Sequence, residues 1–297
     1  MFKQSKEPEK KGSEKREYLL VSFLRLYKPK QMRARAISIE KPNQATINED
    51  AVKATIDFIA VSDGAGGGGI YADKWSAYLV DNLPTQPILT FAELDAWVES
   101  IWEPFYNDCE AMAKAAGGMV LNKFYDEGSF ATLAAIWYSS NVCHWIAYGD
   151  SVAFCYNPDD DILLHSFGHL RDFGNPPYLI NCKDKLSENG FKSGTFETST
   201  NSIIFCTSDA LAHYILMMYE LSHSNTFADE LEEAERTGTR ESSFIKNASS
   251  AKFDFRKDVL QKLMNCKSRY TLEKHISKLL KNKLIALDDY SFTFKTL

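Results

Sequence analysis

Apolar positions repeat with two different periods along this chain, and the changes of period divide it into elements. Residues 56–62, Ile-Asp-Phe-Ile-Ala-Val-Ser, form an apolar run that stops at Asp63, as a buried strand would. Five glycines in positions 64–69 then free the backbone to bend sharply and let a ligand approach its amides and carbonyls. Residues 71–80 read as a helix. Leu94, Trp97, Val98, Ile101, Trp102, Phe105 and Met112 recur at helical spacing and predict a long amphipathic helix over 91–116, its aromatic stripe turned to the core. From Gly128 period two takes over. It predicts strands over 129–138, from 142 and over 152–156, the last closed by Asn157-Pro158-Asp159-Asp160-Asp161, in an antiparallel meander. After a broken stretch over 162–201, residues 202–209 form another apolar strand ending in an acid, and a helix follows over 210–221.

Both ends of the chain are less regular. Residues 227–255, with Glu230, Glu232, Glu233 and Glu235, read as a peripheral surface helix and loop whose deletion should spare folding. Residues 257–283 are helical again, and 284–294 form a last strand containing Asp288 and Asp289. Residues 1–17 are a charged, disordered tail with almost nothing to bury. Residues 18–27 are apolar enough to pack on the body and lead into an alternating strand over 33–39. Arg33 and Arg35 share one face of that strand, either as solvated side chains or as an anion-binding pair. Strands, helices, strands, helices and a final strand predict an α+β domain with segregated layers, a single unit over 18–297 with no repeat or linker.

Composition narrows the function classes. At 297 residues with 44% hydrophobic content, the chain supports a sizeable core. A net charge of −6 and a pI near 5.6 argue against a general nucleic-acid binder, which needs a concentrated basic face. The six cysteines lack CxxC spacing and read as reduced core thiols, which favours the cytoplasm. No apolar run approaches the length of a membrane span, so no membrane insertion is expected.

The candidate chemistry is acidic. Asp63, Asp150, Asp209 and the pair Asp288–Asp289 each border an apolar strand, and Asp50 precedes a strand that can lie beside Asp63. One acid at a strand end is only a turn residue. Several together suit hard Mg²⁺ or Mn²⁺ ions, because clustered carboxylates are costly unless cations neutralise them. Acting purely as turn residues of an ordinary α+β domain is the alternative reading.

Six short motifs carry a resemblance. Asn48-Glu49-Asp50-Ala51, Val61-Ser62-Asp63-Gly64-Ala65-Gly66-Gly67, Gly128-Ser129-Phe130-Ala131-Thr132-Leu133, Tyr148-Gly149-Asp150-Ser151, Phe205-Cys206-Thr207-Ser208-Asp209-Ala210-Leu211 and Asp288-Asp289-Tyr290-Ser291 stand in one order. In that order they resemble the metal-dependent serine/threonine protein phosphatases of the PPM, or type 2C, family. The resemblance implies a β-sandwich of two mainly antiparallel sheets flanked by helices on both sides, with a metal cluster at one end. It implies that Asp63 bridges two Mg²⁺ or Mn²⁺ ions, that the Gly64 carbonyl ligates one, and that Asp209 and Asp288 hold the other. Glu49 and Asp50 would act through water, and Asp150 with Asp209 would form a third site. The implied reaction is attack of a metal-bridged water on the phosphorus of a phosphoserine or phosphothreonine protein substrate in signalling, with Asp63, Asp50 and Asp209 as the catalytic acids. Three departures stand out. Ala45 occupies the place of the usual phosphate-clamping Arg, leaving Arg33, Arg35 or Lys41 as substitutes. Ala210 and Val152 replace a usual Gly and a frequent Arg. These departures keep open the alternative of a catalytically impaired pseudoenzyme acting as a regulatory or binding module.

Overall fold

The central strands of this protein are buried on both faces, and that two-sided burial explains how its layers stack. In the computed structural model, which describes residues 34–297 apart from 68, 140, 238 and 239, β3 (Phe58–Ser62) is buried along its whole length. Phe58 and Ala60 point to one hydrophobic cluster, Ile59 and Val61 to another. β5 (Leu133–Tyr138), β7 (Val152–Asn157) and β11 (Ile203–Thr207) behave alike. Their aromatic side chains Trp137, Phe154, Tyr156 and Phe205 face the helices, while Ala134, Ile136, Ala153, Cys155, Ile204 and Cys206 face the opposite sheet. Aliphatic and small residues between the sheets let them pack face to face, and the aromatic residues outside fill the space under the helices.

Among the described residues, one five-stranded sheet has the order β1 (Arg35–Ile39), β12 (Tyr290–Thr296), β11, β7 and β8 (Ile162–His165). The second has the order β10 (Phe191–Glu197), β6 (Val142–Tyr148), β5, β3 and β2 (Ala51–Ala54). β4 (Phe130–Ala131) and β9 (Ile180–Asn181) make a small third pair. Every pairing is antiparallel. The second sheet is covered by α1 (Ala72–Asp81), α2 (Phe91–Ala116) and α3 (Gly118–Glu127). The first is covered by α4 (Asp209–His223), α5 (Ala228–Thr237), α6 (Arg240–Ser249), α7 (Gln261–Met264) and α8 (Arg269–Lys281). The result is the expected four-layer αββα sandwich. Among the described residues no helix is long and apolar enough to cross a membrane.

Four expectations need correction. β6 and β7 are not neighbours in one meander: the chain leaves one sheet and enters the other between them, because two-faced burial does not reveal the pairing partner. The helix over 257–283 is broken into a π-helical turn (Phe255–Leu260), α7 and α8, the last restarted by a Ser268–Thr271 capping box. The final strand begins at Tyr290, not at 284. Most consequential, 227–255 is no peripheral flap. Phe227, Leu231, Phe244, Ile245, Ala248 and Phe255 are all buried in the core over the first sheet. Their spacing of one apolar residue per turn is thin enough to be masked by the glutamates between them. The tail expected over 1–17, the stretch 18–27 and Arg33 lie outside the described residues.

Candidate active site

The sandwich ends on one side in a set of loops and strand termini that bring acids together. The β2–β3 register sets Ala51 against Ser62, which places Asp50 and Asp63 side by side just past the ends of paired strands. Asp150 lies in the crossover from β6 to β7, and Asp209 is the first residue of α4 beyond β11. Asp288 and Asp289 immediately precede β12. Each acid thus occupies the point where a sheet residue gives way to a turn.

Backbone geometry fixes these points. Gly149 has φ 87°, and a side chain there would meet the Tyr178 carbonyl at 2.6 Å, so the crossover carrying Asp150 requires glycine. Thr132, in the break between β4 and β5, stitches two of the loops. Its amide donates to the Asp63 carbonyl at 2.8 Å, its carbonyl accepts from the Ser62 hydroxyl at 2.6 Å, and its hydroxyl lies 2.6 Å from that of Ser151. Asp289 acts as a clamp. Buried, it accepts the Lys41 amide on Oδ1 at 2.8 Å and the Glu49 amide on Oδ2 at 2.9 Å, holding both ends of the 41–49 connection.

The acids interact strongly. Burial, followed by the charges of Asp50, Asp209, Asp150 and Asp288, raises the Asp63 carboxyl well above the usual range. Burial and the charge of Asp288 push Asp209 up to about 6, although it accepts the Ala210 amide and a hydrogen bond from Asp63. Asp150 is pushed to about 7, by burial and by Asp209. Burial raises Asp50 to about 8 against hydrogen bonds from Ser291 and Ser208, with the Asp289 and Asp209 charges adding to the rise. One oxygen of Asp50, Oδ2, is buried with no hydrogen-bond partner. A buried carboxylate oxygen without a donor is costly and calls for a positive partner.

Glu49 stands apart from this set. Its carboxylate closes on the glycine-rich loop, where it accepts the Gly66 amide; a Cβ at Gly66 would sit 1.9 Å from Glu49 Oε1. Gly64 donates its amide to the Glu49 carbonyl at 3.2 Å. Of the basic candidates, Lys41 reaches the acids: its Nζ lies 2.9 Å from Asp288 Oδ1. Arg35 does not. Its guanidinium packs over the Phe294 ring and donates to the Met264 carbonyl, on the side of the first sheet that faces the helices.

The donor set fits a hard divalent cation: carboxylates, a backbone carbonyl and an orphaned buried oxygen, without cysteine or histidine. The side chains as they stand are not gathered around an ion position. Among the described residues no group of three or more His, Cys, Asp or Glu is arranged to hold a metal ion. The reason is visible in their partners, since Asp288 is turned to Lys41 and Asp209 to the Ala210 amide and Asp63.

No protein-family model matches the sequence, and no curated protein is similar to it in sequence. Solved structures are similar in fold. The catalytic domain of the serine/threonine protein phosphatase PstP, in complex with two manganese ions, superposes with a TM-score of 0.51 at 16% identity, over 89% of this chain and 98% of that one. The chain has the PPM phosphatase fold. Serine/threonine phosphatase Stp1 from Staphylococcus aureus (TM-score 0.49, 11% identity, 90% and 95% covered) and PppA of Pseudomonas aeruginosa (0.49, 13%, 90% and 99%) are also similar. Within that PPM fold, sequence reading named Asp289, Thr132, Ser151, Ser208 and Ser291 in its motifs but missed their role, which is to hold the acids or their loops. The adjacent pair Asp288–Asp289 was the available signal. Two acids in tandem at a strand start point their side chains in different directions, so one can clamp backbone while the other faces the site.

Proposed function

We propose that this protein is a divergent PPM-type phosphatase that hydrolyses phosphoserine or phosphothreonine in protein substrates with the help of Mg²⁺ or Mn²⁺. The observation that carries this reading is the convergence of Asp63, Asp50, Asp209, Asp150 and Asp288 at one end of the sandwich with far less positive charge than they need. Asp63, Asp209 and Asp288, with the Gly64 carbonyl, would hold the ions, Asp150 would contribute to a third position, and Glu49 and Asp50 would act through water. Bound ions would supply the positive charge that neutralises these acids and stabilises the phosphoryl oxygens.

The chain's own residues contribute position and polarity. Asp289 holds the 41–49 connection, and Thr132 ties the Asp63 backbone to the Ser151 hydroxyl beside Asp150, so the loops that carry these acids are fixed by groups outside the acid set. Burial of Asp50, with Asp63 half-buried beside it, limits the access of bulk water to the base of the site. Six buried, free cysteines support a reducing compartment such as the cytoplasm.

The test is hydrolysis of p-nitrophenyl phosphate and of a phosphothreonine peptide with and without Mn²⁺. Activity that needs Mn²⁺ and falls at least ~100-fold in Asp63→Asn and in Asp209→Asn is the expected result, in line with the cost of losing one electrostatic partner of a transition state. A second reading, a binding module without turnover, is favoured by Lys41 sitting on Asp288 and by Ala45 in place of an arginine. Mn²⁺ binding without hydrolysis of any phosphoester would select it.

A further inference from the structure

We propose that Lys41 is a resident cation of the acidic site, and that a divalent ion acquires Asp288 only by displacing its ammonium. The inference rests on the metal-binding reading above and goes beyond it, to how readily the site loads. Among the ion pairs of the described residues, Lys41–Asp288 is the one that reaches this acid set, and its Nζ to Oδ1 distance of 2.9 Å is that of a charge-assisted hydrogen bond. A metal–carboxylate bond to Mg²⁺ or Mn²⁺ is shorter, about 2.0–2.2 Å, and the ion is doubly charged, so ammonium and metal do not share that oxygen favourably.

The position of Lys41 is built into the fold. Its amide is fixed to Asp289 Oδ1 at 2.8 Å, its carbonyl closes a turn by accepting the Gln44 amide at 3.3 Å, and Pro42 beside it is buried. The clamp that holds the lysine backbone is thus the residue next to the acid its side chain neutralises. Its charge also reaches Glu49 and Asp209. At the same time the buried Oδ2 of Asp50 remains without any donor, so one ammonium leaves the set under-neutralised and a divalent ion still has a place. The pair is partly open to solvent, with Lys41 at 29% and Asp288 at 37% side-chain exposure. An ion pair so exposed is weak, so Lys41 tunes metal affinity and does not abolish it.

The experiment is titration of metal-free full-length protein with Mn²⁺ by calorimetry, with the Mn²⁺-induced rise in melting temperature as a second readout. Wild type is compared with Lys41→Met, which keeps the backbone bond to Asp289, and with Lys41→Arg, which keeps the charge. The expected result is that Lys41→Met binds its weaker Mn²⁺ ion roughly tenfold more tightly than wild type, about the effect of removing one partly screened like charge, while Lys41→Arg does not gain affinity. Binding that appears only in Lys41→Met carries the proposal equally. If Lys41→Met binds Mn²⁺ no better than wild type while Asp63→Asn weakens binding, the resident-cation inference falls and the metal reading stands. Unchanged Mn²⁺ affinity with weakened binding of inorganic phosphate would reassign Lys41 to the substrate. If neither wild type nor Lys41→Met binds Mn²⁺ at millimolar concentration, inference and metal reading fall together.

Discussion

Asp50 shows what the acid set costs the chain when no metal is bound. Its carboxyl is raised to about 8, with Asp150 at about 7 and Asp209 at about 6, against an ordinary carboxyl near 3.8. In the folded state these groups keep protons that the unfolded chain releases. Their contribution to stability is therefore fully present below about pH 4 and is lost as pH rises through 6 to 8. Metal-free protein is expected to melt at lower temperature at pH 8.5 than at pH 5.5, by on the order of a few kcal/mol in stability. Saturating Mn²⁺ should flatten the profile, and Asp50→Asn should remove part of the fall. Thermal melts across that range check it, and a melting temperature that rises with pH in metal-free protein would refute it. At the same scale, Ala45 is exposed, so Ala45→Arg has room for its side chain. If the proposed phosphatase activity is limited by a missing phosphate clamp, KM for p-nitrophenyl phosphate should fall about tenfold, the effect of one charge-assisted bond; an unchanged KM would place the clamp elsewhere.

Among the elements, α5 and α6 were the least legible. A helix preceded by Phe227, with Leu231 one turn on and four glutamates around it, looks like surface, yet both apolar side chains are buried in the core over the first sheet. Phe227→Ala is expected to cost about 3–5 kcal/mol, read as a lowered urea midpoint, and a chain lacking residues 227–249 should fail to fold. A loss under about 1 kcal/mol for Phe227→Ala would return the segment to the periphery. Strand ends were easy to read by comparison, because an acid or glycine after an apolar run marks a turn whatever lies beyond. Pairing was not, since β5, β7 and β11 bury both faces and polarity cannot say which neighbour each has. The acids were visible one by one in the sequence, whereas their holders were not: Asp289 and Thr132 act through backbone atoms far away in the chain, which no local pattern announces.

At the scale of the whole molecule, the thiols are spread over the layers of the sandwich. Cys143, Cys155 and Cys206 lie between the sheets, Cys109 and Cys182 under the helices of the second sheet, and Cys266 under those of the first. Burial raises all six thiols above their ordinary values, which suppresses the reactive thiolate in the native state. Each layer therefore carries its own clock. Modification by a thiol reagent proceeds only when that layer opens, so mass-resolved labelling of the six sites can time the separation of sheet from sheet independently of the lifting of either helical cover.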